Sequence, residues 1–153
     1  MEIKSKLLGN QQIDPDTILT FPEGIPGFEN QTRFKLFHQE NNPIIHWLQA
    51  VDDEELTFSV ASPGLFNINY SFLLTDRERS LLNLETEDDL VILILLQTDD
   101  TQQETRPTIK GAIKAPILIN STRKTGMQKH LVQVEQSITL IEASNEINLQ
   151  ETY

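Results

Sequence analysis

The chain has 153 residues, of which 38% are hydrophobic and 23% charged, and its formal net charge is -11. This size and composition are typical of one globular core, so we predict a single domain over residues 1–153. No apolar run is long enough for a membrane span, no secretory signal is evident, and the lack of cysteine excludes disulfides and thiolate metal sites. We therefore expect a cytoplasmic protein that does not contact membranes.

The negative charge is concentrated in one part of the chain. Residues 52–105 contain thirteen acidic and two basic residues, whereas residues 106–130 contain six basic residues and no acidic one. Two interpretations are open, because charged runs usually keep a surface solvated but an acidic segment can also steer a basic partner. Direct binding of nucleic acid is disfavoured, since a negative protein repels phosphates and the basic residues are not interleaved with aromatic ones.

Most of the chain consists of short apolar runs separated by turn residues, a pattern that predicts β-strands. In chain order the predicted strands are residues 17–21, 33–38, 44–51, 56–62, 67–74, 90–98, 108–120 and 129–134. The strands predicted at 44–51 and 56–62 flank the acidic turn DDEE and predict a hairpin. The unbroken apolar run LVILILL is typical of a central strand that is covered on both faces.

One short helix is predicted in TDRERSLLNL. Thr75 as N-cap and Glu78 three residues later form a capping box, in which each side chain binds the other residue's backbone N–H. The apolar edge of this helix would comprise Leu81, Leu82 and Leu84.

The strand and helix signals together predict an all-β, mainly antiparallel fold. We expect a small β-barrel-like domain with one or two short helices. Gly111 and Pro116 predict a bulge or a bend within the run 108–120. Residues 135–153 are predicted to form a divergent, mobile C-terminal tail, although SITLIEA within it could also form a strand.

The stretch FPEGIPGFE, residues 21–29, could be a ligand loop or a sharp turn. A phosphate-binding loop presents backbone N–H groups and avoids negative charge. Here Pro22 and Pro26 remove two donors, and the two glutamates add negative charge. We therefore interpret the stretch as a structural corner with Phe21 and Phe28 packed on either side.

No catalytic or metal-binding motif is evident. The three histidines, His38, His46 and His130, are scattered and do not have the spacing of metal ligands. The acidic turn lacks the spacing of a calcium loop, and neither a G-x-S-x-G elbow nor a phosphate loop occurs. We predict a protein without enzymatic activity, metal or cofactor, although sequence alone leaves open a small hydrolase with two converging carboxylates.

Five ordered stretches resemble the FliW family of flagellar assembly factors. They are FPEGIPGFE, HWLQAVDDEELTFSVASPGLFNINY, LVILILL, IKAPILIN and RKTGMQ, and the resemblance covers roughly residues 17–132. It implies a small cytoplasmic β-barrel-like protein, without enzymatic activity, that binds newly made flagellin in the manner of a chaperone. It also implies binding of the RNA-binding regulator CsrA, which relieves repression of flagellin translation. The tail EQSITLIEASNEINLQETY departs from the D-D-S-x-Y and R-H-P-L-like endings of the family.

This resemblance and the charge pattern suggest two sets of partner-binding residues. For CsrA, which must be basic to hold RNA, the candidates are Asp52, Asp53, Glu54 and Glu55. For the amphipathic helices of flagellin, the candidates are the large apolar side chains Phe66 and Tyr70, which could equally be core residues. We expect a monomer. The alternative function is an acidic β-barrel protein-interaction module without a flagellar role.

Overall fold

The computed structural model describes residues 1–39, 41–98, 107–108 and 113–131. Within these residues the chain forms ten strands and one α-helix. The strands are β1 (Glu2–Ile3), β2 (Gln11–Gln12), β3 (Leu19–Thr20), β4 (Arg33–Gln39), β5 (Asn42–Ala50), β6 (Thr57–Ala61), β7 (Leu90–Thr98), β8 (Pro107–Thr108), β9 (Ile117–Asn120) and β10 (Thr125–Gln128). The helix is α1 (Asp76–Leu82). No helix in the described part of the chain is long and apolar enough to span a membrane.

Seven of these strands pair in a closed circuit. The order is β6-β5-β4-β3-β10-β9-β7, and β7 pairs again with β6, while β8 pairs with the end of β7. Every pairing in the circuit is antiparallel except that of β3 with β10, where Thr20 lies opposite Thr125. The all-β, mainly antiparallel prediction is thus confirmed, and the closed circuit is the arrangement that the barrel-like prediction describes.

The main core follows from the two-residue alternation of the strands. On β4 and β5, Phe34 lies opposite Ala50 and Leu36 lies opposite Leu48, and all four side chains pack into this core. The buried members are Leu19, Phe21, Ile25, Phe34, Leu48, Ala50, Val60, Leu93, Ile117 and Ile119. Successive side chains of a strand point to opposite faces, so one face of each strand supplies this core.

Strand β7 contributes to three apolar clusters on its two faces, as its unbroken apolar run predicts. Leu93 packs into the main core, while Ile92 packs against a second cluster that contains Leu82 of α1 and Leu118 of β9. Ile94 packs with Ile68 in a third cluster. The helix therefore covers the outer face of the sheet, and the prediction of a strand covered on both faces is correct.

The helix begins and ends where local chemistry dictates. The Thr75 hydroxyl accepts from the Glu78 backbone N–H at 3.1 Å, and the Glu78 carboxylate accepts from the Thr75 N–H at 2.9 Å, which is the predicted capping box. The helix ends at Asn83, whose φ of 54° is left-handed. The side-chain amide of Asn120, in β9, donates to the carbonyls of Leu82 and Asn83 at 2.9 and 3.1 Å and fixes this end to the sheet.

The stretch 21–29 forms a corner, as interpreted from its sequence. Phe21 and Ile25 are buried. Gly24 has a φ of +68°, and a Cβ there would lie 2.7 Å from Cα of Glu29, so the tight turn requires glycine. The expected packing of Phe28 into the core is wrong, because its side chain is 42% exposed and its ring only contacts that of Phe58, at a centroid distance of 5.3 Å.

The strand predicted at residues 67–74 is wrong. Residues 63–66 form a 3-10 turn, Asn67 is left-handed with a φ of 58°, and residues 68–75 have no strand partner in the described chain. The alternation still describes burial, because Ile68 is buried and Tyr70 partly buried while Asn69 is exposed. Since β7 already pairs with β6 and β9, its two edges offer no place for a further strand over most of its length.

The last predicted strand is also misplaced. The turn before it is shorter than expected, because Lys124 adopts a left-handed φ of 57° and closes it, so β10 begins at Thr125 instead of residue 129. Residues 132–134, Gly111 and the predicted tail 135–153 lie outside the described residues.

Candidate partner-binding surface

The predicted acidic residues form the tight turn between β5 and β6. Asp52 is exposed and pairs with Arg33 through two bonds, from Nη2 to Oδ1 at 2.6 Å and from Nε to Oδ2 at 3.1 Å. The hydrogen bonds from Arg33, and then its charge, hold the pKa of Asp52 below its ordinary value. One charge of the turn is therefore largely neutralised within the protein.

A second charge of the turn is paired with the N-terminal segment. Lys6 Nζ lies 2.7 Å from Oε1 of Glu55, and both side chains are 67% exposed. The backbone N–H of Lys6 donates to the carbonyl of Glu54 at 2.9 Å. The described residues give no ion pair to the Asp53 or Glu54 carboxylate, which leaves these two as the negative groups best placed to meet a basic partner.

The turn is held from inside by a buried polar side chain. Gln49 is fully buried, and its amide donates to the backbone carbonyls of Ala50 and Asp53, both at 3.0 Å. Its oxygen accepts from the Thr57 hydroxyl. The Asp53 carboxylate in turn accepts from the backbone N–H of Glu55 at 3.0 Å. The acidic groups are thus presented on a well-defined turn.

The predicted apolar anchors are only partly exposed. Phe66 and Tyr70 pack against the buried pair Ile68 and Ile94. The Tyr70 hydroxyl donates to the carbonyl of Ile113 at 2.6 Å, and burial raises the pKa of Tyr70 to about 12. Both side chains therefore contribute to a satellite core, the second of the two readings left open by the sequence.

The most exposed apolar side chains in this region are two that the sequence analysis did not select. Leu65 is 46% exposed and Leu73 is 88% exposed. We call residues 65–73 the apolar segment. The missed signal was in the alternation itself, because Leu73 belongs to the solvent-facing row that otherwise holds Asn69 and Ser71. A leucine in an otherwise polar row is expected to be exposed, as Leu73 is.

Within the described residues, no group of three or more histidine, aspartate or glutamate side chains is arranged to hold a metal ion. The acidic turn accordingly shows paired and solvated carboxylates, with no converging set of the kind that a cation site needs.

Comparison of the fold identifies the class of protein. The crystal structure of the flagellar assembly factor FliW superimposes with a TM-score of 0.74, at 28% identity, over 88% of this chain and 92% of that chain. The chain is thus a small all-β domain with the fold of a flagellar assembly factor. The family model described as FliW protein matches residues 2–140.

Two relatives support the same assignment. The flagellar assembly factor FliW of Chromobacterium violaceum is 37% identical over 142 residues, which cover 88% of this chain and 96% of the relative. The flagellar assembly factor FliW of an Azoarcus species is 32% identical over 93% of this chain and 99% of the relative. The chain belongs to the FliW family of flagellar assembly factors, as the resemblance of its motifs indicated.

Proposed function

We propose that this protein binds cytoplasmic flagellin in the manner of a chaperone and antagonises a CsrA-type translational regulator. The observation that carries the proposal is membership of the FliW family over nearly the whole chain. Two surfaces support it: an apolar segment suited to a hydrophobic anchor, and an acidic turn suited to a basic protein. We further propose that the protein acts as a monomer without enzymatic activity.

The apolar segment is the proposed flagellin contact. An amphipathic helix binds by inserting apolar side chains into a complementary apolar surface, and a few central residues supply most of the affinity. Leu73 is 88% exposed, so it is available to a partner, whereas Phe66 and Tyr70 present only part of their rings. Leu73 would therefore make the new contact, and the two aromatic side chains would form the floor beneath it.

Titration calorimetry with a purified, monomeric flagellin tests this contact. We expect Leu73→Ser to weaken binding by at least about tenfold, which corresponds to about 1.4 kcal/mol of binding free energy. Truncating a central anchor typically costs more than this. Leu7→Ser is the matched control, because Leu7 is also highly exposed, at 61%, but lies in the N-terminal turn. Equal affinities for the Leu73→Ser and unmodified proteins would exclude the apolar segment as the contact.

The acidic turn is the proposed CsrA contact. Since Asp52 and Glu55 are already paired, Asp53 and Glu54 would carry most of the attraction. Charge complementarity acts mainly on association rates and weakens with salt. We therefore expect Glu54→Lys to slow association with CsrA and to flatten its salt dependence.

Stopped-flow association at two salt concentrations measures this effect. Asp88→Lys is the control, because it makes the same change in net charge at an exposed acid outside the turn. A similar slowing by both variants would assign the effect to net charge alone, against a specific role of the turn. Absence of binding to both flagellin and CsrA would support the alternative, an acidic interaction module without a flagellar role.

A further inference from the structure

Two histidines face each other across neighbouring strands. His38 in β4 lies directly opposite His46 in β5, and the ring centroids are 5.9 Å apart with an interplanar angle of 44°. His38 follows Leu36 by two residues and His46 precedes Leu48 by two, so both histidines lie on the strand face that supplies the main core. The pair thus extends an apolar row with two imidazoles.

Neither the core nor the proposed partner contacts explain this pair. His38 is exposed, whereas His46 is partly buried, and the buried Nδ1 of His46 has no hydrogen-bond partner in the described structure. Burying an unpaired polar atom costs stability, so this nitrogen calls for an explanation, and a bound ion is one. The register also shifts between His38 and Gln39, an irregularity of the kind that redirects side chains at the ends of sheets.

We propose that His38 and His46 together bind one divalent transition-metal ion of the class that prefers imidazole, such as Zn²⁺, Ni²⁺ or Cu²⁺. A metal–nitrogen bond is about 2.1 Å long, so the metal lies about 3.2 Å from the centre of each ligating ring. Two rings that share one ion can therefore have centres up to about 6.4 Å apart. The observed centroid distance of 5.9 Å lies within this limit.

The chemistry of the pair favours ligation. A histidine ligates a metal through a neutral imidazole nitrogen. Imidazole suits Zn²⁺, Cu²⁺ and Ni²⁺, whereas Mg²⁺ and Ca²⁺ prefer oxygen ligands. With two protein ligands, the remaining coordination positions go to water, so the site is open.

Titration of the untagged, full-length protein with ZnCl₂ alone tests the proposal. We expect one site, weakened by at least about tenfold in both His38→Gln and His46→Gln, since either change removes the chelate. His130→Gln is the matched control, because His130 is exposed and lies outside the pair. Unchanged affinity in His38→Gln, or an equal loss in His130→Gln, would overturn the proposal.

An NMR measurement on the unmodified protein avoids any effect of substitution on folding. One equivalent of Zn²⁺ should shift the imidazole resonances of His38 and His46 and leave those of His130 in place, and MgCl₂ should shift none of them. Equal shifts of all three histidines would show surface association of the ion instead of a site. This outcome would leave the proposed partner contacts unaffected, because they do not involve either histidine.

Discussion

Gly126 in β10 offers a sharp test of how the core is packed. Its backbone passes directly over the ring of Phe21, and a Cβ at this position would lie 2.5 Å from Cζ and 2.6 Å from Cε1 of that ring. Carbon atoms pack comfortably at about 3.5–4.0 Å, so the ring would have to move by about 1 Å. Phe21 is fully buried, and its ring already contacts Phe34 at a centroid distance of 5.2 Å.

The expected cost of Gly126→Ala follows from this geometry. Overpacking a well-packed core costs about 1–3 kcal/mol. Replacing a strand glycine with alanine by itself raises the free energy of unfolding by about 0.5–1 kcal/mol, because alanine lowers the conformational entropy of the unfolded chain. We therefore expect the free energy of unfolding to fall by about 1–2 kcal/mol, and the Tm by about 3–7 °C for a chain of this size.

Urea and thermal unfolding, followed by circular dichroism, measure the change. Gly64→Ala is the control, because a Cβ at Gly64 meets no atom within 4 Å, and its stability should change by less than about 0.5 kcal/mol. The double variant Phe21→Leu/Gly126→Ala should be more stable than the sum of its single changes predicts, since the smaller side chain leaves room for the methyl group. A Gly126→Ala protein as stable as the unmodified one, or strict additivity, would refute the steric reasoning.

Three further predictions concern the attachment of α1 to the sheet. Lys129 Nζ lies 2.8 Å from the Glu78 carboxylate, with side chains 11% and 12% exposed, so Lys129→Met should cost about 1–2 kcal/mol in urea unfolding. Burial opposes ionisation of Glu78, but bonds from Lys129 and Thr75 hold its pKa below 4.5, so this stabilisation is present at pH 7 and fades as the pH falls through that lowered pKa. The difference in free energy of unfolding between the unmodified protein and Lys129→Met should therefore shrink at pH 3. Thr75→Ala should cost about 1 kcal/mol through loss of the cap, and should lower helical ellipticity before the global transition. Asn120→Ala should cost about 2–4 kcal/mol, because it leaves the buried Leu82 carbonyl and the partly buried Asn83 carbonyl without this donor. Asn120→Asp should not restore stability, because a carboxylate supplies no donor.

The capped helix and most strands were predictable because their signals are local. Thr75 and Glu78 lie three residues apart and satisfy each other, so no distant contact is needed to specify where α1 begins. The hairpin of β5 and β6 was equally accessible, since its turn and both apolar runs are contiguous. Strand pairing beyond hairpins is different. The alternation at residues 67–74 correctly described burial, but whether a segment joins a sheet depends on a vacant edge elsewhere.

The candidate surface was likewise only partly predictable, because some of its features depend on contacts between residues distant in sequence. The acidic turn could be located from the sequence, but its charge state could not, because Asp52 is paired with a residue 19 positions away and Glu55 with one 49 positions away. Exposure of Phe66 and Tyr70 was likewise undetermined, since it depends on contacts with Ile94 and Ile113 from later strands and loops. The strong exposure of Leu73 was accessible from its place in the polar row.

The parallel pairing of β3 with β10 has a consequence for synthesis of the chain. Thr20 lies opposite Thr125 in this pairing, so the closed circuit of strands cannot form until more than a hundred residues have followed β3 out of the ribosome. Until then, the edge of β3 that will pair with β10 remains open, and pairing between segments so distant in sequence is slow. The nascent protein, itself a member of a family of assembly factors, thus passes through a stage in which its own strand edge is open to aggregation.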